Sequence, residues 1–251
     1  MKKTLIALAV AASAAVSGSA MAWTANGTGG SVNLGGTLTP VEKVTPWEVK
    51  VGDAVTGLDA QIQKGQKVVN ISVDKTIPIL GIRSIKNVFK GVSGVSPQID
   101  YHGAVDAAKF TGGYVPLTLD VKDNHDAKIG TLTSTLGASA DLSVNEGASS
   151  NHYFYVQARN PGDVFYGGLG TIMPEQNIAA KVFPGIGEHY DNQDGTYLAP
   201  TNATIKPDIL YSGYYGSGIP QGHTIKITLD NPAGADQIAW KATLPVTVSY
   251  Q

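Results

Sequence analysis

An all-β, antiparallel sandwich is the fold class this 251-residue sequence predicts, and three observations predict it. Short alternating stretches bounded by Gly, Pro, Asn or Asp recur along the chain. Glycine supplies 30 residues, well above the roughly 7% of an average protein, as a turn-rich chain requires. Charged residues make up only 15%, against about 25% in the usual soluble domain, while apolar content is ample for a packed core.

The strands follow in order. Ser31 to Thr39 puts Val32, Leu34, Gly36 and Leu38 on one face. Trp47 to Val51 alternates Trp, Val and Val with Glu48 and Lys50, and Lys67 to Val73 does the same with Val69, Ile71 and Val73. Ile77 to Arg83 and Pro116 to Lys122 continue the series, the latter with Leu117, Leu119 and Val121 on one side. Lys128 to Thr133, His152 to Gln157 and Thr224 to Leu229 come next, and Leu244 to Tyr250 ends it with Leu244, Val246, Val248 and Tyr250 on one face. One helix is expected, with Pro174 at its first position, Glu175 to Phe183 as its body and Gly185 as its stop.

The chain opens with Lys2 and Lys3, an apolar run from Leu5 to Val16, and Ala20-Met21-Ala22, the pattern of a secretory signal peptide over residues 1–22. That run is shorter than the ~20 residues a spanning helix needs. Removing it takes away two lysines and leaves 16 positive and 20 negative charges, a net of −4. A chain so sparsely and acidically charged excludes a nucleic-acid partner. Cysteine is absent, which excludes disulfide frameworks, cysteine-based zinc sites and cysteine nucleophiles. An exported chain without disulfides must draw its stability from core burial or from other chains.

No catalytic, metal or cofactor site is expected. The five histidines, His102, His125, His152, His189 and His223, lie far apart in sequence, with no zinc-binding helix pattern. Gly91 to Val95 lacks the last glycine of a nucleophile elbow, and Ser72-Val73-Asp74-Lys75 has no companion Lys-Thr-Gly. Tyr190 to Gly195 imitates a calcium loop, but Tyr190 and Thr201 stand where carboxylates are needed, so it reads as an Asp-Gly turn. Glu188, Asp191 and Asp194 are the nearest approach to a glycosidase's carboxylate pair and read as a solvated turn.

The two ends carry the most specific residues. Gly30-Ser31-Val32-Asn33-Leu34-Gly35-Gly36-Thr37-Leu38-Thr39, Trp47 to Gly52, Ile77-Pro78-Ile79-Leu80-Gly81, Val164 to Leu169 and the ending Trp240 to Tyr250 resemble subunits of chaperone–usher fimbriae of the Fae type. The resemblance covers most of the chain and is weaker over Gly103 to Gly162 and Ile172 to Ser212. It implies an immunoglobulin-like sandwich that is incomplete and is closed by donor-strand exchange, with inserted loops and one or two short helices. Residues 23–39 would form the donor-strand extension, and residues 40–251 the pilin domain, with insertions in roughly 103–212.

The resemblance implies three protein partners: a periplasmic chaperone, the outer-membrane usher, and other fimbrial subunits. Val32, Leu34, Gly36 and Leu38 would enter a neighbour's groove, and Leu244, Val246, Val248 and Tyr250 would pair with the chaperone strand. The product would lie in the fimbrium at the cell surface. Members of the adhesin type bind galactose-containing host glycans. Of 19 aromatic residues, 11 fall between Tyr153 and Tyr215. Among them Tyr190, Tyr197, Tyr214 and Tyr215 sit beside Gly, Asn and Asp and are expected in loops, as candidate sugar-stacking residues. Tyr153, Tyr155 and Phe165 are expected in the cores of strands. A minor subunit that binds no receptor and a free secreted sugar-binding sandwich are the alternatives left open.

Overall fold

A computed structural model describes residues 25–26, 34–39, 44–147, 150–171 and 178–251. The chain divides into two units, residues 1–42 and 43–251. In the first, residues 34–39 run without any strand partner among the described residues. Val32 and the signal segment lie outside the described residues.

The second unit is built from β1 (Trp47–Val51), β2 (Val68–Ser72), β3 (Ile77–Ser84), β4 (Phe89–Lys90), β5 (Pro97–Asp100), β6 (Tyr114–Lys122), β7 (Lys128–Asn145), β8 (Asn151–Tyr155), α1 (Ile178–Val182), β9 (Thr196–Tyr197), β10 (Leu210–Ile219), β11 (Thr224–Leu229) and β12 (Thr247–Tyr250). The main sheet runs β1-β3-β10-β7-β11-β2, with β4, β6, β8 and β9 joined to this path, and β12 pairs with β5 in a second, two-stranded sheet. All pairs are antiparallel except β8 with β9. The fold is all-β, as the sequence predicts.

Strand β7 organises the sheet. Its 18 residues pair with β6 and β11 in the first half and with β10 and β8 in the second. The sequence reading stops this strand at Thr133, because beyond that point Ser, Ala and Gly replace large apolar residues. The structure supplies the reason: from Gly137 to Val144 both faces of β7 are buried, and small residues are what a two-sided, covered strand accommodates. Strand β10 was not anticipated for the same reason. Its Tyr-Gly-Ser sequence is buried from Tyr211 to Ile219.

The second cover is α1 and the turns after it. The helix is described over Ile178–Val182, its expected start at Pro174 lies with residues 172–177 outside the described residues, and Gly185 follows with φ +81°, as a helix stop requires. The helix crosses β10 so closely that a Cβ on Gly216 would stand 3.0 Å from the Ala179 backbone.

Beneath the sheet lies a core centred on aromatic rings. Trp47 meets Phe89 and Phe165 edge-on at 5.0 and 5.5 Å, and Phe165 stacks on Tyr215 at 5.5 Å. The Trp47 indole N–H donates to the Val95 carbonyl at 2.8 Å. The buried Tyr101 hydroxyl lies 2.8 Å from both the Tyr215 hydroxyl and Ser217 Oγ. Burial pushes the Tyr101 phenol up to about 12, so these groups act only as neutral hydrogen-bonding partners. Phe165 reaches this core from a turn with φ +64°, not from the strand expected for it.

Gly216→Val forces two methyl groups into the α1 contact. Overpacking of this kind costs about 1–3 kcal/mol, so chemical denaturation of the purified protein is expected to show a midpoint loss of that size. An unchanged midpoint contradicts the close approach.

Candidate functional site: an open apolar groove

Strand β1 leaves the main sheet at Gly52, whose N–H still donates to the Ile79 carbonyl at 2.9 Å. A Cβ here would lie 1.9 Å from the Pro78 carbonyl oxygen, so only glycine lets the chain turn off at this point. Residues 53–62 then run on as a free rim. Among the described residues, no backbone hydrogen bond involves Asp53 through Ile62. Leu58 and Ile62 point back toward the core.

The opposite rim is the C-terminal run. Ile238, Trp240, Ala242, Leu244, Val246, Val248 and Tyr250 are half-buried, and every residue between them is exposed. This period of two is an extended strand with one apolar face. It is fastened at three places. Ala233 exchanges backbone bonds with Gly65 and Gln66 at 2.8 Å, Lys241 exchanges two with Lys122 at 2.9 Å, and β12 pairs with β5. Between the fastenings, 234–240 and 242–246 make no backbone hydrogen bond among the described residues.

Between the two rims lies a groove of about 1180 Å³, floored by Ile71, Leu117, Leu119, Leu132, Ile225 and Ile227. Its chemistry is that of a missing strand: apolar below, with unpaired amides and carbonyls along both sides. Of the expected pairing residues, Leu244 and Val246 line the groove, and Val248 and Tyr250 continue the same face in β12. The rim at 53–62 and the floor were not anticipated. The one sequence signal for the rim is the four-residue spacing of Leu58 and Ile62 after a glycine.

In the first unit Leu34 and Leu38 are 93% and 97% exposed, and nothing lies within 4 Å of where a Gly36 Cβ would stand.

The expected loop tyrosines do not form one site. Tyr214 and Tyr215 lie in β10, 8% and 0% exposed; their Gly and Ser neighbours mark close packing, not a turn, so the loop placement is corrected for both. Tyr190 packs edge-on against Tyr214 at 5.2 Å and is half-buried. Only Tyr197, 41% exposed on the edge strand β9, presents a ring to solvent. Tyr153 and Tyr155 lie in strand β8 as expected, but they are half-buried and not in the core, which Phe154 enters between them, and they flank Tyr197 at 5.6 and 6.0 Å.

Glu188 binds Arg83, Asp191 turns its carboxylate onto the Gln193 N–H, and Asp194 is exposed, so these acids form no paired cleft. Among the described residues no cluster of three or more His, Asp or Glu could hold a metal ion, and no helix is long and apolar enough to cross a membrane.

An all-β domain with an open apolar groove, preceded by an exposed, alternating N-terminal segment, is of the kind that builds fimbrial fibres. The family described as "Fimbrial, major and minor subunit", the K88 fimbrial family, matches residues 1–251, and the chain belongs to it. It is 31% identical over 290 aligned residues to K88 fimbrial protein AB of Escherichia coli, covering 100% of both chains. K88 fimbrial protein AC of Escherichia coli is 30% identical and F41 fimbrial protein of Escherichia coli 31%, again with complete coverage of both. The Fae-type resemblance is thus borne out. The chain is a structural subunit located in the fimbrium, from a family of fibre proteins and not of enzymes.

Lys241→Pro removes the N–H that ties the C-terminal rim to Lys122. One backbone hydrogen bond is worth about 0.5–1.5 kcal/mol net. Exchange of the Lys122 N–H, which donates to the Lys241 carbonyl, is therefore expected to rise roughly 2- to 10-fold by amide-exchange NMR. No change there would show that the rim is held by other means.

Proposed function

We propose that this subunit polymerises by donor-strand exchange. The groove of one copy receives residues 30–39 of the next, Val32, Leu34 and Leu38 filling apolar positions and Gly36 a shallow one. The observation that carries this reading is the pair of unpaired backbone rims around an apolar floor, a template for an added strand. Burying each large donor side chain contributes roughly 1.5–3 kcal/mol, and strand pairing satisfies amides that otherwise face an apolar groove.

Before assembly a periplasmic chaperone strand occupies the same groove along Leu244, Val246, Val248 and Tyr250, and the outer-membrane usher exchanges it for the incoming subunit. Residues 1–22 act as the signal peptide, 23–39 as the donor extension and 40–251 as the receiving domain. Deleting Trp23 to Thr39 is expected to leave chaperone binding intact while abolishing incorporation as a donor. Electron microscopy and heat-resistant gel ladders measure this, and normal-length polymers would refute the assignment.

A second reading rests on Tyr197. Its exposed ring, held between Tyr153 and Tyr155, offers an apolar face and hydroxyls of the sort that stack on a sugar. We infer that a host glycan bearing galactose is bound here, with Tyr190 in a supporting position and Tyr214 and Tyr215 taking no part. Tyr197→Ala is expected to lower galactoside binding on a glycan array at least 10-fold. Unaltered binding would move the receptor site elsewhere, and no binding by the self-complemented wild type would remove the adhesin role.

A further inference from the structure

The outer face of the central sheet, away from the aromatic core, carries a polar row, Ser139, Asp141 and Ser143 on β7, covered by the turns after α1. The cover has its own small apolar cluster, Ala179, Phe183 and Ile186 with Tyr214, against which Tyr190 packs. Directional bonds hold it down. The Ala179 N–H donates to Ser139 Oγ at 2.8 Å, the Ser143 hydroxyl donates to the Asp191 carbonyl at 2.6 Å, and the Asp191 N–H donates to Ser212 Oγ at 2.9 Å. At the far edge Arg83 donates to the Gly185 carbonyl and to Glu188 at 3.0 and 2.9 Å.

Asp141 sits in the middle of this row, between Tyr214 of β10 and Tyr155 of β8 in register, and is 7% exposed. Among the described residues its enclosed Oδ2 has no hydrogen-bond partner, and the enclosed Tyr190 hydroxyl of the cover has none either. Tyr214 supplies the hydrogen bond the carboxyl does receive. The other titratable groups that face the cluster are Tyr153 and Tyr155 from β8 and Tyr190 and Asp191 from the cover. None is a cation. A carboxylate here is desolvated with only the Tyr214 hydrogen bond to offset the cost, whereas a neutral carboxyl carries no such charge to desolvate, and it can donate as well as accept.

We propose that Asp141 makes the 183–193 cover a proton-dependent latch: protonation seats the cover on the sheet, and ionisation loosens it and opens the Tyr190 and Tyr214 rings to solvent. Burial raises the carboxyl from 3.8 to about 6. An acid whose pKa is raised in the seated state favours that state as pH falls through about 6 toward 3.8, and the contribution is lost as pH climbs past 6. The main core lies on the other face of β7 and is not part of this equilibrium. His189 also belongs to the cover, with Nδ1 2.9 Å from the Ser84 carbonyl and 3.5 Å from Glu48, so it is the second side chain the test must separate from Asp141.

The test is amide exchange by mass spectrometry on the full mature protein at pH 5 and pH 7.5, corrected for intrinsic exchange rates. Residues 183–193 are expected to open about 10-fold more often at pH 7.5, with a midpoint near 6 and no matching change in β3 or β11. Asp141→Asn should abolish the difference and keep the cover protected at both values, and His189→Gln should preserve it. Asp141→Ser serves where Asp141→Asn is not recovered. A wild-type cover indifferent to pH, a response spread evenly over the chain, or a profile flattened by His189→Gln and not by Asp141→Asn overturns the latch.

Discussion

A backbone amide or carbonyl removed from water needs a partner, and this requirement shapes the subunit from its centre outward. Strand β7 meets it by length. Its 18 residues give four neighbouring strands something to pair with. Among the described residues it is met by no backbone partner along 53–62, 234–240 and 242–246, which stay largely exposed and border the same apolar floor. A domain without disulfides that leaves two such rims open has a physical reason to acquire a strand from elsewhere. Family membership in the fimbrial subunits gives that reason its setting.

The second shaping constraint is that the central strands are covered twice. Between Gly137 and Val144 of β7 and along β10, one face meets the aromatic core and the other meets α1 and its following turns. Close covering demands Gly, Ala and Ser where a one-sided sheet would carry alternating large and polar side chains. It also encloses hydroxyls, which find partners on the covering segment, and one carboxyl, which finds its partner on β10. The resulting contacts are directional and few, so the cover is held differently from the core: by serine hydroxyls, an arginine bonded to Glu188 and the Gly185 carbonyl, and a small apolar cluster. That arrangement gives the inserted segment a stability of its own, separable from that of the sandwich beneath it.

How much of this was legible in the sequence depended on whether local pattern and tertiary role coincided. Strands with one buried face, such as β2, β6 and β11, could be read from alternation because their side chains at i and i+2 share one environment. The C-terminal run was legible in the same way, from Leu244 to Tyr250, and it forms one groove wall. The facing wall at 53–62 could not be read, since only Leu58 and Ile62 turn inward and a spacing of four is not the period of a strand. Tyr214 and Tyr215 misled for the opposite reason: next to Gly213, Gly216 and Gly218 they imitate a loop, but those glycines admit α1 and neighbouring strands.

By itself the sequence determined the all-β class, most one-sided strands, the short helix with its glycine stop, and the family, because each depends on composition, on a period of two or on contiguous residues. Tertiary structure alone decided that two distant segments flank one groove, that a serine- and glycine-rich stretch is the centre of the sheet, and that only one of four candidate tyrosines presents its ring to solvent. Those outcomes depend on which surfaces close over one another, and such long-range covering leaves no periodic mark in the chain.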